Sequence, residues 1–200
     1  MSIVLVGSTS GSITLQEPAV SGSTVLDLPA VSGTILTTTS PKAGNVIQVV
    51  QGFSSASFST TSGSAVDITG LTATITPTSS SSKILIMSAL QLSADMSNNP
   101  LPKLFLVRNG TNIYLGDAGD SRTQVSVGGS LDGGTSSTTA NLYSCVSNYL
   151  DSPATTSALT YKWQVYTFSS RTIFVNRSAL TADANGTSAP SSIILMEIAG

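Results

Sequence analysis

Asp117 and Asp120, in the loop-like stretch GDAGDSR, are the closest pair of carboxylates in a candidate loop. Two acids held about 5 to 9 Å apart can hydrolyse a glycosidic bond. With several further oxygens they can instead bind calcium. Neither use fits well, because EF-hand-like spacing is missing and two acids in a glycine turn read most simply as solvated turn formers. The chain has no histidine, which removes the usual imidazole base, triad member or metal ligand. Its one cysteine, Cys145, permits neither an internal disulfide nor a thiolate cluster. Cys145 reads as a small buried apolar residue, since a nucleophilic thiolate would need a base that histidine cannot supply here. No phosphate-binding glycine loop or serine elbow occurs. The expectation is a chain that is not an enzyme and holds no metal or cofactor.

Sugar binding needs less: aromatic rings to stack on C–H faces and amides for the hydroxyls. Tyr143 and Tyr149 lie among Asn and Ser residues in the Gly-rich stretch from Val127 to Ala158, and they are the candidates for a glycan contact. The competing expectation is that one belongs to a strand and the other to a loop packed on the core. Nucleic acid is excluded as a partner: net charge is −2, and the eight basic residues are scattered from Lys42 to Arg177. Only four apolar residues, Ile3 to Val6, run together near the start. That is too short for a signal peptide or a membrane helix, so no membrane is expected as a partner and synthesis is expected in a cytosol. The sequons at Asn109, Asn176 and Asn185 then read as coincidence in a Ser/Thr-rich chain.

The elements that would carry these residues are strands. Helical periodicity is hard to find, and short alternating runs bounded by Gly, Pro and Ser recur throughout, which indicates an all-β protein. Texture changes near residues 40–43, giving an N-terminal segment, 1–42, and a β-domain, 43–200. The first contains GSITLQEP from Gly11, GSTVLDLP from Gly22 and GTILTTTSP from Gly33. In each, a turn glycine opens a β-prone run and a proline closes it. Such units are too small to bury their own apolar positions, so this extended stem needs a surface from other copies or from a scaffold.

The β-domain contains KILIMSALQLSA from Lys83, with Ile84, Ile86, Leu90 and Leu92 on one face, and Leu85 and Met87 on the other. In KLFLVRNGTNIYLGD, Asn109-Gly110 predicts a two-residue type I′ hairpin. One face would carry Leu104, Leu106, Ile113 and Leu115, and the other Phe105, Val107 and Tyr114. A hairpin apolar on both faces must be covered on both, by a second sheet or by another subunit, so Phe105, Val107 and Tyr114 are candidate oligomer contacts. Leu159, Tyr161, Trp163 and Val165 share a face, and SSIILMEIAG is apolar on both faces and belongs inside a sheet. The expected fold is an antiparallel β-sandwich or jelly roll following the repeat stem.

GSITLQEPAVSGSTVLDLPAVSGTIL, RNGTNIYLGD and SSIILMEIAG together resemble structural proteins of tailed bacteriophages, especially those of cyanobacteria. The resemblance implies a homotrimeric virion component, either a short fibre or a protein decorating the capsid. Its implied partners are copies of itself and other virion proteins. A receptor-binding fibre would add a bacterial surface glycan, and a free lectin-like module is the outside alternative.

Overall fold

The computed structural model describes residues 2–6, 12–16, 41–94, 102–128, 141–167, 171–180 and 186–200. The chain divides into two compact units, Met1–Leu36 and Thr37–Gly200. In the first, β1 (Ser2–Val6) and β2 (Ser12–Gln16) form an antiparallel hairpin, with Val4 opposite Thr14. The run opened by Gly11 is therefore a strand. The runs opened by Gly22 and Gly33 lie outside the described residues.

The second unit is all-β. Its strands are β3 (Val46–Ser54), β4 (Phe58–Thr60), β5 (Val66–Ile75), β6 (Lys83–Ala94), β7 (Lys103–Arg108), β8 (Thr111–Ile113), β9 (Val127–Gly128), β10 (Tyr143–Asp151), β11 (Leu159–Tyr166), β12 (Ile173–Val175) and β13 (Ser191–Ile198). The long strand β6 organises one sheet. At Leu92 it pairs with Val175 of β12 and Tyr143 of β10, and at Ile86 with Leu195 of β13 and Tyr149 of β10. Strands β12 and β13 thus follow one another along one edge of β6, and β10 fills the other. Because β4 pairs β12 where β3 pairs β13, this sheet has the lane order β3/β4, β13/β12, β6, β10. The second sheet runs β5, β11, β7, with β8 and β9 sharing the far edge of β7. With β3/β4, β8/β9 and β12/β13 each counted as one lane, the chain crosses between the sheets at every step but the β7–β8 hairpin, the order of an eight-lane jelly roll in which two Greek keys close a sandwich.

Alternation places the core. Ile84, Ile86, Leu90, Leu92, Ile193 and Leu195 of the first sheet face Leu71, Ile75, Leu104, Leu106, Tyr161 and Trp163 of the second. Each large side chain removed from water contributes roughly 1.5–3 kcal/mol. The sheets draw together beside Gly52 of β3. A Cβ there would lie 2.2 Å from the Thr72 carbonyl oxygen of β5 and 2.9 Å from Ile193 Cγ2, so only glycine permits this approach. The Asn109-Gly110 turn forms as expected, with φ of 47° and 87° and with Leu106, Val107 and Arg108 opposite Ile113, Asn112 and Thr111.

Beyond Ile113 the hairpin departs from the sequence reading. Tyr114 takes φ of 55°, which ends β8 at Ile113 and takes Tyr114 off the face expected to carry it with Phe105 and Val107. Leu115 is 41% exposed instead of joining the core.

Candidate functional site

The sequence candidates do not converge. Asp117 and Asp120 occupy the exposed loop after β8, where Asp120 lies 3.6 Å from the solvated Arg122 guanidinium. No cluster of three or more Cys, Asp or Glu residues among the described ones could hold a metal ion. Cys145 points toward the core from β10, and burial pushes its thiol up, away from the reactive thiolate.

The proposed oligomer contacts need correction. Phe105 and Val107 are 6% and 2% exposed, covered by the chain itself. The Phe105 ring stacks on Tyr166 at 5.8 Å, and Lys103 Nζ lies 5.2 Å over the Tyr166 ring while donating to Thr123 Oγ1 at 2.6 Å. Tyr114 remains 39% exposed, but its ring stacks on Tyr149 at 4.8 Å. That stack joins the end of β8 in one sheet to β10 in the other. It ties together one oligomer candidate and one glycan candidate. Tyr143 also packs against the core from β10, and its hydroxyl accepts a hydrogen bond from Asn141 Nδ2 at 3.1 Å. The part of the Gly-rich stretch at 129–140 lies outside the described residues.

Buried polar groups are held in structural networks. Arg108 Nη1 donates to both Asp151 oxygens, at 2.8 and 2.7 Å, and the Tyr161 hydroxyl donates to Asp151 Oδ2 at 2.7 Å. This clamp joins β7 and β11 to the end of β10, and so links the two sheets. Burial, reinforced by the Asp151 charge, pushes the Tyr161 hydroxyl far up, so it stays a donor. The Trp163 indole Nε1 donates to Ser88 Oγ across the core at 2.9 Å.

Glu197 accepts from Gln48 Nε2 at 2.6 Å and from the Thr78 amide and hydroxyl, both at 2.7 Å. Burial alone would raise its carboxyl, but these donors outweigh it and hold the group below the usual range. Asn176, buried, donates to the Ser54 and Ala56 carbonyls at 3.0 and 2.8 Å and accepts from Ser191 Oγ at 2.5 Å. In the folded protein that sequon is closed to a sugar.

Among the described residues, the outer face of the β3–β13–β6–β10 sheet is open. Pairing aligns it in three rows across four lanes. They read Val49–Met196–Leu85–Leu150, then Gln51–Ile194–Met87–Asn148, then Phe53–Ser192–Ala89–Val146. None of these side chains is ionisable. Phe53 is 57% exposed and Val146 70%. Over β6, between β13 and β10, lies an open depression of about 310 Å³ lined by Met87, Ala89, Val146, Asn148, Ser192 and Ile194. Its rim is polar, with Lys83 at one end and, at the other, Gln91 accepting from Ser144 Oγ at 2.8 Å. The sequence signal for this face was the doubly apolar character of β6 and β13, which identifies a second apolar surface but not its rows.

No family model matches the chain, and no curated protein matches it. Among solved structures it is similar to one described as "Structure of infectious bursal disease virus Gx strain", at 14% identity and a TM-score of 0.39. That match covers 97% of this chain and 50% of the other, so this chain spans about half the length of that neighbour. A likeness of this depth carries no argument about function.

Proposed function

We propose that this chain is a non-enzymatic structural component of a tailed-phage virion, a short homotrimeric fibre anchored to the particle by residues 1–42. The observation that carries the reading is the uncharged apolar outer face of the β3–β13–β6–β10 sheet. A surface of that kind is suited to permanent contact with protein. The buried ionisable groups Asp151 and Glu197 support the same reading, because each is closed off from solvent and held by structural donors. The resemblance of the Gly/Pro-punctuated repeat to phage structural proteins supplies the virion context and the number three. A capsid decoration protein is the alternative, with the repeat laid across neighbouring shell subunits by strand addition. Contact with a host surface glycan is a secondary role within the fibre reading.

Removing residues 1–40 tests the anchor. The β-sandwich should keep its melting temperature, while the protein should vanish from purified particles. Normal incorporation of the truncated chain overturns the anchor. Gold-labelled protein seen by electron microscopy all over the head selects decoration over a tail fibre. Binding of the intact full-length protein on a glycan array tests the receptor role.

A further inference from the structure

We infer that the outer face of the β3–β13–β6–β10 sheet is the trimer contact, with three copies turning this face toward a three-fold axis parallel to the strands. The inference rests on the trimeric reading above and names the surface that makes it. The argument begins with register. Strands β3 and β10 are the outer lanes of the face, so a closed ring brings β3 of each copy beside β10 of the next. Each row then meets the same row at the same height. Val49 adjoins the partner subunit's Leu150, Gln51 the partner subunit's Asn148, and Phe53 the partner subunit's Val146. Apolar residues meet apolar residues, and the two amides that end the middle row meet each other. A side-chain amide both donates and accepts, so this pair satisfies itself when water leaves. The face is complementary to its own copy, end to end.

The dimensions of the face accommodate three copies. Four lanes at about 4.8 Å make a face roughly 19 Å wide, and three rows two residues apart make it roughly 20 Å tall, or about 400 Å². Each copy then turns about 400 Å² of sheet plane toward its two neighbours. A triangular prism with 19 Å sides holds each sheet about 5.5 Å from the axis. That matches half of the roughly 10 Å at which packed sheets interdigitate. Leu85, Met87, Ile194 and Met196, on the two central lanes, fill the axis. Two of these are methionines, whose unbranched chains adapt to a shared centre.

The test uses the full chain. Light scattering on wild type should give 60.9 kDa, three times 20.3 kDa. Met87→Lys, on the outward side of β6, should lower the mass threefold while near-UV circular dichroism stays native. Independently, Phe53→Cys with Val146→Cys in a Cys145→Ser background should link into three-chain species with a short bis-maleimide, and neither single cysteine should do so. A wild-type trimer that gives no such links and survives Met87→Lys overturns this face but leaves the trimeric reading standing. Linked species ending at two chains overturn the three-fold arrangement. A wild-type monomer overturns both.

Discussion

Asp151→Ala removes the centre of the clamp between the sheets. The carboxylate is 4% exposed and accepts from a guanidinium and a buried phenol. Breaking a buried ion pair by deleting one partner costs about 3–5 kcal/mol. The Arg108 side chain is 28% exposed and can take up water once freed, which moves the expectation to the low end. The fully buried Tyr161 hydroxyl has no such recourse, and an unsatisfied buried donor costs about 1–3 kcal/mol by itself. A loss of about 3 kcal/mol follows. For a unit of the size of Thr37–Gly200 it corresponds to a melting temperature lower by about 6–12 °C. The single tryptophan, Trp163, is fully buried and reports unfolding by fluorescence in urea or on heating. Tyr161→Phe, which leaves Arg108 on Asp151, should cost about 1 kcal/mol. Asp67→Ala, which breaks the largely exposed pair with Lys162, should cost less than about 1 kcal/mol. If Asp151→Ala costs no more than Asp67→Ala, the clamp does not hold the sheets together and the reasoning fails.

Glu197→Gln should destabilise the sandwich by about 1.5–3 kcal/mol at neutral pH, because the new amide group opposes a donor of Gln48 or Thr78. The Glu197 carboxyl is depressed by its donors, so its stabilisation is complete above the ordinary carboxylate value of about 4.3 and is lost as pH falls through the lower folded value. Urea titrations should show a constant gap between the two proteins from pH 7 to about 5 that closes in stronger acid; a gap that widens there refutes the assignment. Gly52→Ala forces a methyl group onto the Thr72 carbonyl and should cost at least about 1–3 kcal/mol, read as a lower urea midpoint. Asp117→Asn with Asp120→Asn, or a chelator, should leave the melting temperature unchanged, and a large fall on chelation would reveal a structural cation.

The sandwich was legible where alternation is clean. Strand β11 shows it best: Leu159, Tyr161, Trp163 and Val165 are buried as their spacing requires. The Asn109-Gly110 turn was equally readable, because its geometry depends on two adjacent residues. Strands β3 and β5 were not picked out. In β5 the register against β11 shifts between Lys162 and Gln164, around the positive φ of Gly70, and this bulge scrambles the period of two. The β7–β8 hairpin misled in a different way. Its doubly apolar faces were real, but Tyr166, 61 residues downstream, supplies the cover for Phe105 that a partner was expected to give. The Arg108–Asp151 pair spans 43 residues and has no local signature. The open face was half legible: Leu85 and Met87 announced an apolar side of β6, but its rows exist only once four strands are in register.

The absence of ionisable side chains from those rows also determines how a joint made from them responds to its surroundings. With no charge to screen, it feels no Debye screening when ionic strength changes, and neutral-range shifts in acidity find nothing there to titrate. Temperature and salting-out are the levers that remain. Apolar association weakens on cooling and is strengthened by excluded salts, so such a joint tightens in concentrated salt and loosens in the cold.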